Sequence, residues 1–319
     1  MNHQPPTAGY RVTATDPPGA DALHRWLVLP FLRLLGTLAG DTADRAGGAL
    51  GVMAWRLGIR RAHCTRLLAE CLGLRGPARA RVLRRAYATM GANFLAVWTI
   101  AGPDGPERHL TALNPRWLAQ LHRASRAGRG LVTVTPHLGC WDAGALAVQA
   151  FIGPVLAYAK PQHDPQVDAL LNAKRSATGV AILITHRGDR TEAVRVLRAL
   201  RAGGIAGLIA DQRPYTEDAE PGYFLGRPAW CHPGAGFFAT KARVPTAPGC
   251  CLRTRAGRFV LFVGRPASGV DTQRAMDWLS ALIAAHPGQY FWMHHRFKAV
   301  PAGLPPCADQ RWRDLGLMV

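Results

Sequence analysis

Lysine is nearly missing from this chain. Only Lys160, Lys174, Lys241 and Lys298 occur, so arginine supplies almost all of the 39 basic residues, against just 20 acids. Abundant Ala, Gly and Pro accompany this bias, the pattern expected of GC-rich coding, so the arginine is not all to be read as function. A formal net charge of +19 still attracts anions and speeds their encounter. It points to nucleic acid, an anionic lipid surface, a phosphorylated substrate or an acidic carrier protein, without choosing among them. Cysteine pairs are also lacking. The seven cysteines are scattered and form no C-x-x-C, which argues against a disulfide framework or a zinc site and for reduced thiols. Long apolar runs are absent as well. Residues 26–39 (WLVLPFLRLLGTLA) are broken by Pro30 and Arg33 and fall short of the about 20 apolar residues a spanning helix needs. Residues 1–22, rich in Pro, Thr, Gly and Asp, lack the basic start of a cleaved signal and are expected to be a disordered tail.

What is present is a composition that can build a large core, with 48% hydrophobic and 18% charged residues. Residues 49–59 (ALGVMAWRLGI) run into Arg60 and Arg61, a pattern that suits either a helix lying in a membrane interface or an ordinary core helix. Residues 77–99 predict a helix, with Pro77 at its start and Leu83, Tyr87, Met90, Phe94 and Val97 at helical spacing. Arg79, Arg81, Arg84 and Arg85 crowd its first half, where the helix dipole favours acids, so an anionic partner or a solvated basic face is expected there. Gly102 to Pro106 break the chain at a lobe boundary.

Beyond that break the rhythm changes. Strands are predicted at 131–135, 155–158, 180–184, 205–210, 244–248 and 259–263, with helices at 165–178 and 191–202 among them. Alternation of this kind predicts an α/β fold: a mixed, largely parallel sheet flanked by helices, with an N-terminal helical lobe. The expected divisions are a tail over 1–22, a membrane-associating helical lobe over 23–105, an α/β core over 106–300 and a C-terminal tail over 301–319.

In such folds chemical groups gather where strands end. His137 stands two residues past the strand 131–135, inside TPHLGCWD, and Asp142 follows five residues later. Five residues turn a helix by about 500°, so the two cannot pair along one straight helix. They can meet if His137 lies in the turn and Asp142 in the first turn of the next helix, which Pro136 and Gly139 allow. A carboxylate on one ring nitrogen fixes the tautomer, and the other nitrogen can then take a proton from a hydroxyl. The spacing alone equally suits an Asp helix cap beside a hydrogen-bonded His. No Gly-x-Ser-x-Gly elbow is present.

The run GRGLVTVTPHLGCWD resembles the core signature of the bacterial lipid A biosynthesis late acyltransferases, within the lysophospholipid acyltransferase superfamily and its His-x4-Asp/Glu motif. Similar blocks follow in order: AKPQHDPQVDALLNAKRSATG with Arg175, LRAGGIAGLIADQRP with Asp211 and Gln212, YFLGRPAWCHPGAGFFATKARVPTAPG, which resembles the family's following loop and helix, and HPGQYFWMHHRFK. Two positions depart from the pattern, with Cys140 where Asn is frequent and Asp142 where many members carry Glu. The resemblance implies a glycerolipid-acyltransferase-like fold and O-acylation without a covalent nucleophile, His137 being the base and Asp142 its orienting carboxylate. Arg175, Asp211, Gln212, Gly139 and Arg296 are then the candidates for substrate binding or oxyanion stabilisation. Asp211 can cap the turn after its strand or orient another site residue. Trp292, His295 and Arg296 can line the site, whereas Tyr290, Phe291 and Trp292 equally suit a core. Arg187 and Arg190 read as solvated charges.

The implied donor is an acyl carrier protein or CoA thioester, with no metal or redox cofactor. The implied partners are an acidic acyl carrier protein, anionic membrane lipids and a glycolipid acceptor. The expected location is the cytoplasmic face of the inner membrane, peripheral or monotopic. Alternatives are the same chemistry on a lysophospholipid, another glycolipid or a lipid-linked pigment head group, or a non-catalytic basic membrane-binding protein. Nucleic acid is disfavoured because the basic residues are dispersed and no recognised binding motif occurs.

Overall fold

The computed structural model describes residues 34, 40–99, 110–159, 165–176, 179–184, 191–214, 219–254, 258–305 and 311–315. The expected tail at 1–22, the lobe boundary at 102–106, and Arg187 and Arg190 lie outside these residues, as does all of the 26–39 stretch but Leu34.

Helices α1 (Gly40–Arg56), α2 (Arg61–Leu72) and α3 (Gly76–Thr99) form the helical lobe. Helix α1 crosses α3 at close range because small residues meet there. A side chain at Gly51 would overlap the Tyr87 carbonyl, and one at Gly91 the Gly47 carbonyl. The inward face of α3 keeps Leu83 and Tyr87 of the expected set but leaves out Phe94. Leu83, Ala86, Tyr87, Asn93 and Ala96 are buried, whereas Phe94 is 61% exposed. Among the described residues no helix is long and apolar enough to cross a membrane.

The remaining elements are β1 (Leu110–Ala112), α4 (Pro115–Arg126), β2 (Leu131–Thr135), α5 (Trp141–Phe151), β3 (Val155–Ala159), α6 (Pro165–Ser176), β4 (Ala181–Ile184), α7 (Thr191–Arg201), β5 (Ile205–Ile209), β6 (Glu220–Phe224), β7 (Arg227–Cys231), α8 (Gly234–Ala242), β8 (Thr246–Arg253), β9 (Phe259–Val263) and α9 (Thr272–Ala285). Seven strands form one sheet in the order β1-β9-β8-β2-β5-β3-β4, parallel except for the β8–β9 pair. This is the expected mixed, largely parallel α/β architecture. Its residues alternate between two apolar layers, as the strand period of two requires. Val132, Val134 and Leu208 pack toward α8 and α9, and Leu131 and Ile205 toward α5.

Three features lay outside the sequence reading. The antiparallel hairpin β6–β7 takes the place of an expected loop; Leu225 and Gly226, both at positive φ, make its two-residue turn. Strand β8 runs five residues beyond its expected end at 248. In the segment expected to be a C-terminal tail, Trp312 is 3% exposed and belongs to the core.

Replacing Gly91 with Val should force α1 off α3 and destabilise the fold by about 1–3 kcal/mol, the usual cost of overpacking. Urea unfolding of the variant beside the parent chain measures it.

Candidate active site

Strands β2 and β5 are parallel neighbours in a register that pairs Thr135 with Ile209. Two residues further along each chain stand His137 and Asp211, so the register itself brings them side by side. His137 Nδ1 lies 2.7 Å from Asp211 Oδ1, and the His137 backbone N–H donates to the same oxygen at 3.1 Å. Asp211 is almost fully enclosed, at 1% exposed, while the His137 side chain keeps 18%.

Burial by itself would raise the Asp211 carboxyl. The adjoining His137 ring and the hydrogen bonds around the carboxylate outweigh burial and hold it below the ordinary carboxylate value. An ionised carboxylate can only accept, so the proton of the neutral ring sits on Nδ1 and Nε2 keeps its lone pair. The Gln212 amide Nε2 approaches that nitrogen at 3.4 Å. The ring stands edge-on to Trp141, with centroids 4.9 Å apart.

Asp142 occupies the expected place, in the first turn of α5, but not the expected partnership. Its Oδ1 accepts from Arg175 Nε of α6 at 2.8 Å. The carboxylate that orients His137 is therefore Asp211, one strand away. The physical reason is direction: the β2–β5 register fills Nδ1 from the neighbouring strand end, and α5 carries Asp142 toward α6. There the helix dipole and the guanidinium both favour a negative charge.

Two further candidates are corrected. Gly139 does not offer an oxyanion donor, because its N–H is taken by the Gln289 carbonyl at 3.0 Å. Its role is conformational: φ is +63°, and a side chain there would overlap the Cys251 carbonyl. The Cys140 N–H is likewise spent on Cys251 O at 2.8 Å. Arg296 does not line an open site; it is 2% exposed, stacked over the Phe224 ring at 4.9 Å, with Nη2 3.7 Å from Cys231 Sγ. Trp292 is core, 2% exposed, and His295 lies against His63. Cys140 is buried, and burial followed by the nearby Asp142 charge raises its thiol to about 12, which removes it as a nucleophile.

Sequence reasoning missed the residues that clamp the His137 turn. The Phe291 N–H donates to His137 O at 3.1 Å, Leu138 bridges to Tyr290, and the Tyr290 hydroxyl faces Asp211. The available signal was the polar Gln and Tyr inside the otherwise apolar GQYFW block. No cluster of His, Cys, Asp and Glu suited to a metal occurs among the described residues.

The family model described as bacterial lipid A biosynthesis acyltransferase matches residues 20–299, most of the chain. Comparison with curated proteins yields no match.

His294 adds a pH dependence. Its Nε2 accepts the Arg213 N–H at 3.1 Å, and burial lowers it to about 4, with Asp211 acting in the opposite direction. The unfolded chain protonates this residue near its ordinary 6.5, so the folded state loses stability as pH falls from about 6.5 toward 4. Melting curves across that window should show a shallower fall for His294→Gln than for the parent chain.

Proposed function

The chain belongs to the bacterial lipid A biosynthesis acyltransferase family and is an acyltransferase; on that premise we propose that it acylates a hydroxyl of a lipid A-type glycolipid, using His137 as general base and Asp211 as its orienting carboxylate. The observation that carries this reading is the His137 Nδ1–Asp211 Oδ1 contact of 2.7 Å, which leaves Nε2 basic and directed away from the carboxylate. Nε2 takes the acceptor proton while the hydroxyl oxygen attacks the thioester carbonyl. The tetrahedral intermediate collapses to the new ester, and the departing thiolate receives the proton back from His137. The donor in this reading is an acyl carrier protein thioester, with CoA as the alternative. An acidic carrier fits the net charge of +19.

The negative charge that builds on the carbonyl oxygen needs preorganised donors. With the Gly139 and Cys140 amides committed elsewhere, the donor in this reading is the Gln212 side-chain amide, 3.4 Å from the reacting nitrogen. Asp142 and Arg175, paired at 2.8 Å, brace α5 against α6 and bring a guanidinium to the rim.

The location in this reading is the cytoplasmic face of the inner membrane, reached peripherally. Leu50, Met53 and Leu57 step along the outer side of α1 and its exit, 49%, 52% and 71% exposed. Arg56, Arg60 and Arg61 stand beside them, all exposed. A cleft of about 460 Å³ between α1 and α3 adds Arg81, Arg84 and Arg85 over Trp55 and Val52. An apolar stripe edged with arginine is the signature of a helix lying in an anionic lipid surface.

In an assay with acyl carrier protein thioester and a phosphorylated glucosamine-disaccharide lipid, His137→Ala and Asp211→Asn should each lower kcat by about 10²–10⁴-fold. Mass spectrometry identifies the product. Full turnover by either folded variant contradicts the mechanism, and transfer only to a lysophospholipid or another glycolipid reassigns the acceptor. Separately, Leu50→Glu/Met53→Glu/Leu57→Glu should abolish cosedimentation with vesicles containing phosphatidylglycerol. Undiminished sedimentation rules out this face.

A further inference from the structure

One side chain from the helical lobe reaches the turn that carries His137. Asn93, on α3 and 6% exposed, donates through Nδ2 to the Gly139 carbonyl. Its own carbonyl accepts from Arg253 Nε at 3.3 Å and Nη2 at 2.9 Å. Arg253, at the end of β8, uses its remaining Nη1 on Asp44 of α1 and lies over the Phe259 ring at 4.7 Å. Its backbone is tied to the Gln289 side chain by two bonds of 2.9 and 3.0 Å. The Gln289 carbonyl then closes the circuit by accepting the Gly139 N–H at 3.0 Å. Gly139 is thus gripped through both its N–H and its carbonyl, two residues from His137 and three from Asp142.

We infer that Asn93 is a positioning residue for acyl transfer, held in place by the Asp44–Arg253 pair, so that the helical lobe is a working part of the active site. This rests on the reading of His137 as base. Gly139 in the left-handed region has no side chain to limit its motion, so the peptide planes on either side of it are set by their hydrogen bonds. Of the contacts that fix the turn at Gly139 and Cys140, the one to Asn93 comes from the lobe; those to Gln289 and Cys251 come from the core. Loss of that donor leaves a buried carbonyl unsatisfied, which the turn relieves by rotating. Such a rotation displaces the imidazole and the start of α5 together. Misplacement by about 1 Å costs on the order of 10²-fold in rate.

Asn93→Asp tests this with little change in size. It keeps an acceptor for Arg253 and sets an oxygen against the Gly139 carbonyl. The expected result is a fall in kcat of about 10–100-fold with KM for the thioester and the melting temperature near those of the parent. Hydrogen exchange should also speed up in the peptide spanning Leu138 to Trp141, where the Gly139 and Cys140 amides lie. Asp44→Asn, at the more exposed rim of the circuit, should give the same pattern at smaller amplitude, and it carries the test if Asn93→Asp does not fold. Unchanged exchange in that peptide overturns the assignment, as does a loss of kcat that merely tracks a loss of melting temperature. If the parent chain transfers no acyl group to any lipid offered, the acyl-transfer reading fails. The exchange measurement still decides whether Asn93 holds the turn.

Discussion

Strands β2 and β5 end in step, and the site follows from that register. Pairing Thr135 with Ile209 places His137 and Asp211 at matching positions beyond the sheet, where the first Asp211 oxygen takes both the ring and the backbone N–H of His137. A carboxylate buried to this degree is tolerated only where a partner and hydrogen bonds offset its lost hydration. The chain provides them from the end of β2, through the ring and the backbone N–H of His137. Shifting either strand by one residue would turn one of the two side chains to the opposite face of the sheet. The His137–Asp211 contact therefore depends on the parallel pairing as much as on the residues themselves.

Asp142 has a different part. The His-x4-Asp spacing is kept in the chain, yet the structure divides the charges into two pairs, His137 with Asp211 and Asp142 with Arg175. Both pairs are partly or wholly buried, so each tolerates loss of one partner poorly; an uncompensated buried charge typically costs about 3–5 kcal/mol. The second pair locks α5 to α6 next to the His137 turn, and the Asp44–Arg253–Asn93 circuit holds that turn from the other side. The His137 turn is thus held by polar contacts from the core, from the Asp142–Arg175 pair and from the lobe.

Local patterns made much of this legible. The strand 131–135, the helix starting after a short turn, and the placement of Asp142 in that helix follow from apolar runs and from Pro136 and Gly139. Asp211 was identifiable as a polar group at a strand end, with orienting another site residue among its two readings. Which carboxylate meets His137 was not legible, because it depends on the pairing of strands some 70 residues apart, and sequence spacing carries no register. The same limit hid Asn93 and Arg253, 160 positions apart. Arg296 was misplaced for another reason: a charged residue in an aromatic block suggests a site, but Phe224, from a hairpin read as a loop, covers it. Phe94 misled in the opposite sense, since helical spacing alone fixes a face only loosely: Leu83 and Tyr87 of the same set are buried, and Phe94 is exposed.

The central claim is that Asp211, rather than Asp142, sets the protonation of His137. Nitrogen NMR of the labelled imidazole tests it without reference to any substrate. The neutral ring should carry its proton on Nδ1 in the parent chain, keep it there in Asp142→Asn, and lose that preference in Asp211→Asn. A tautomer that follows Asp142 and ignores Asp211 would contradict the account.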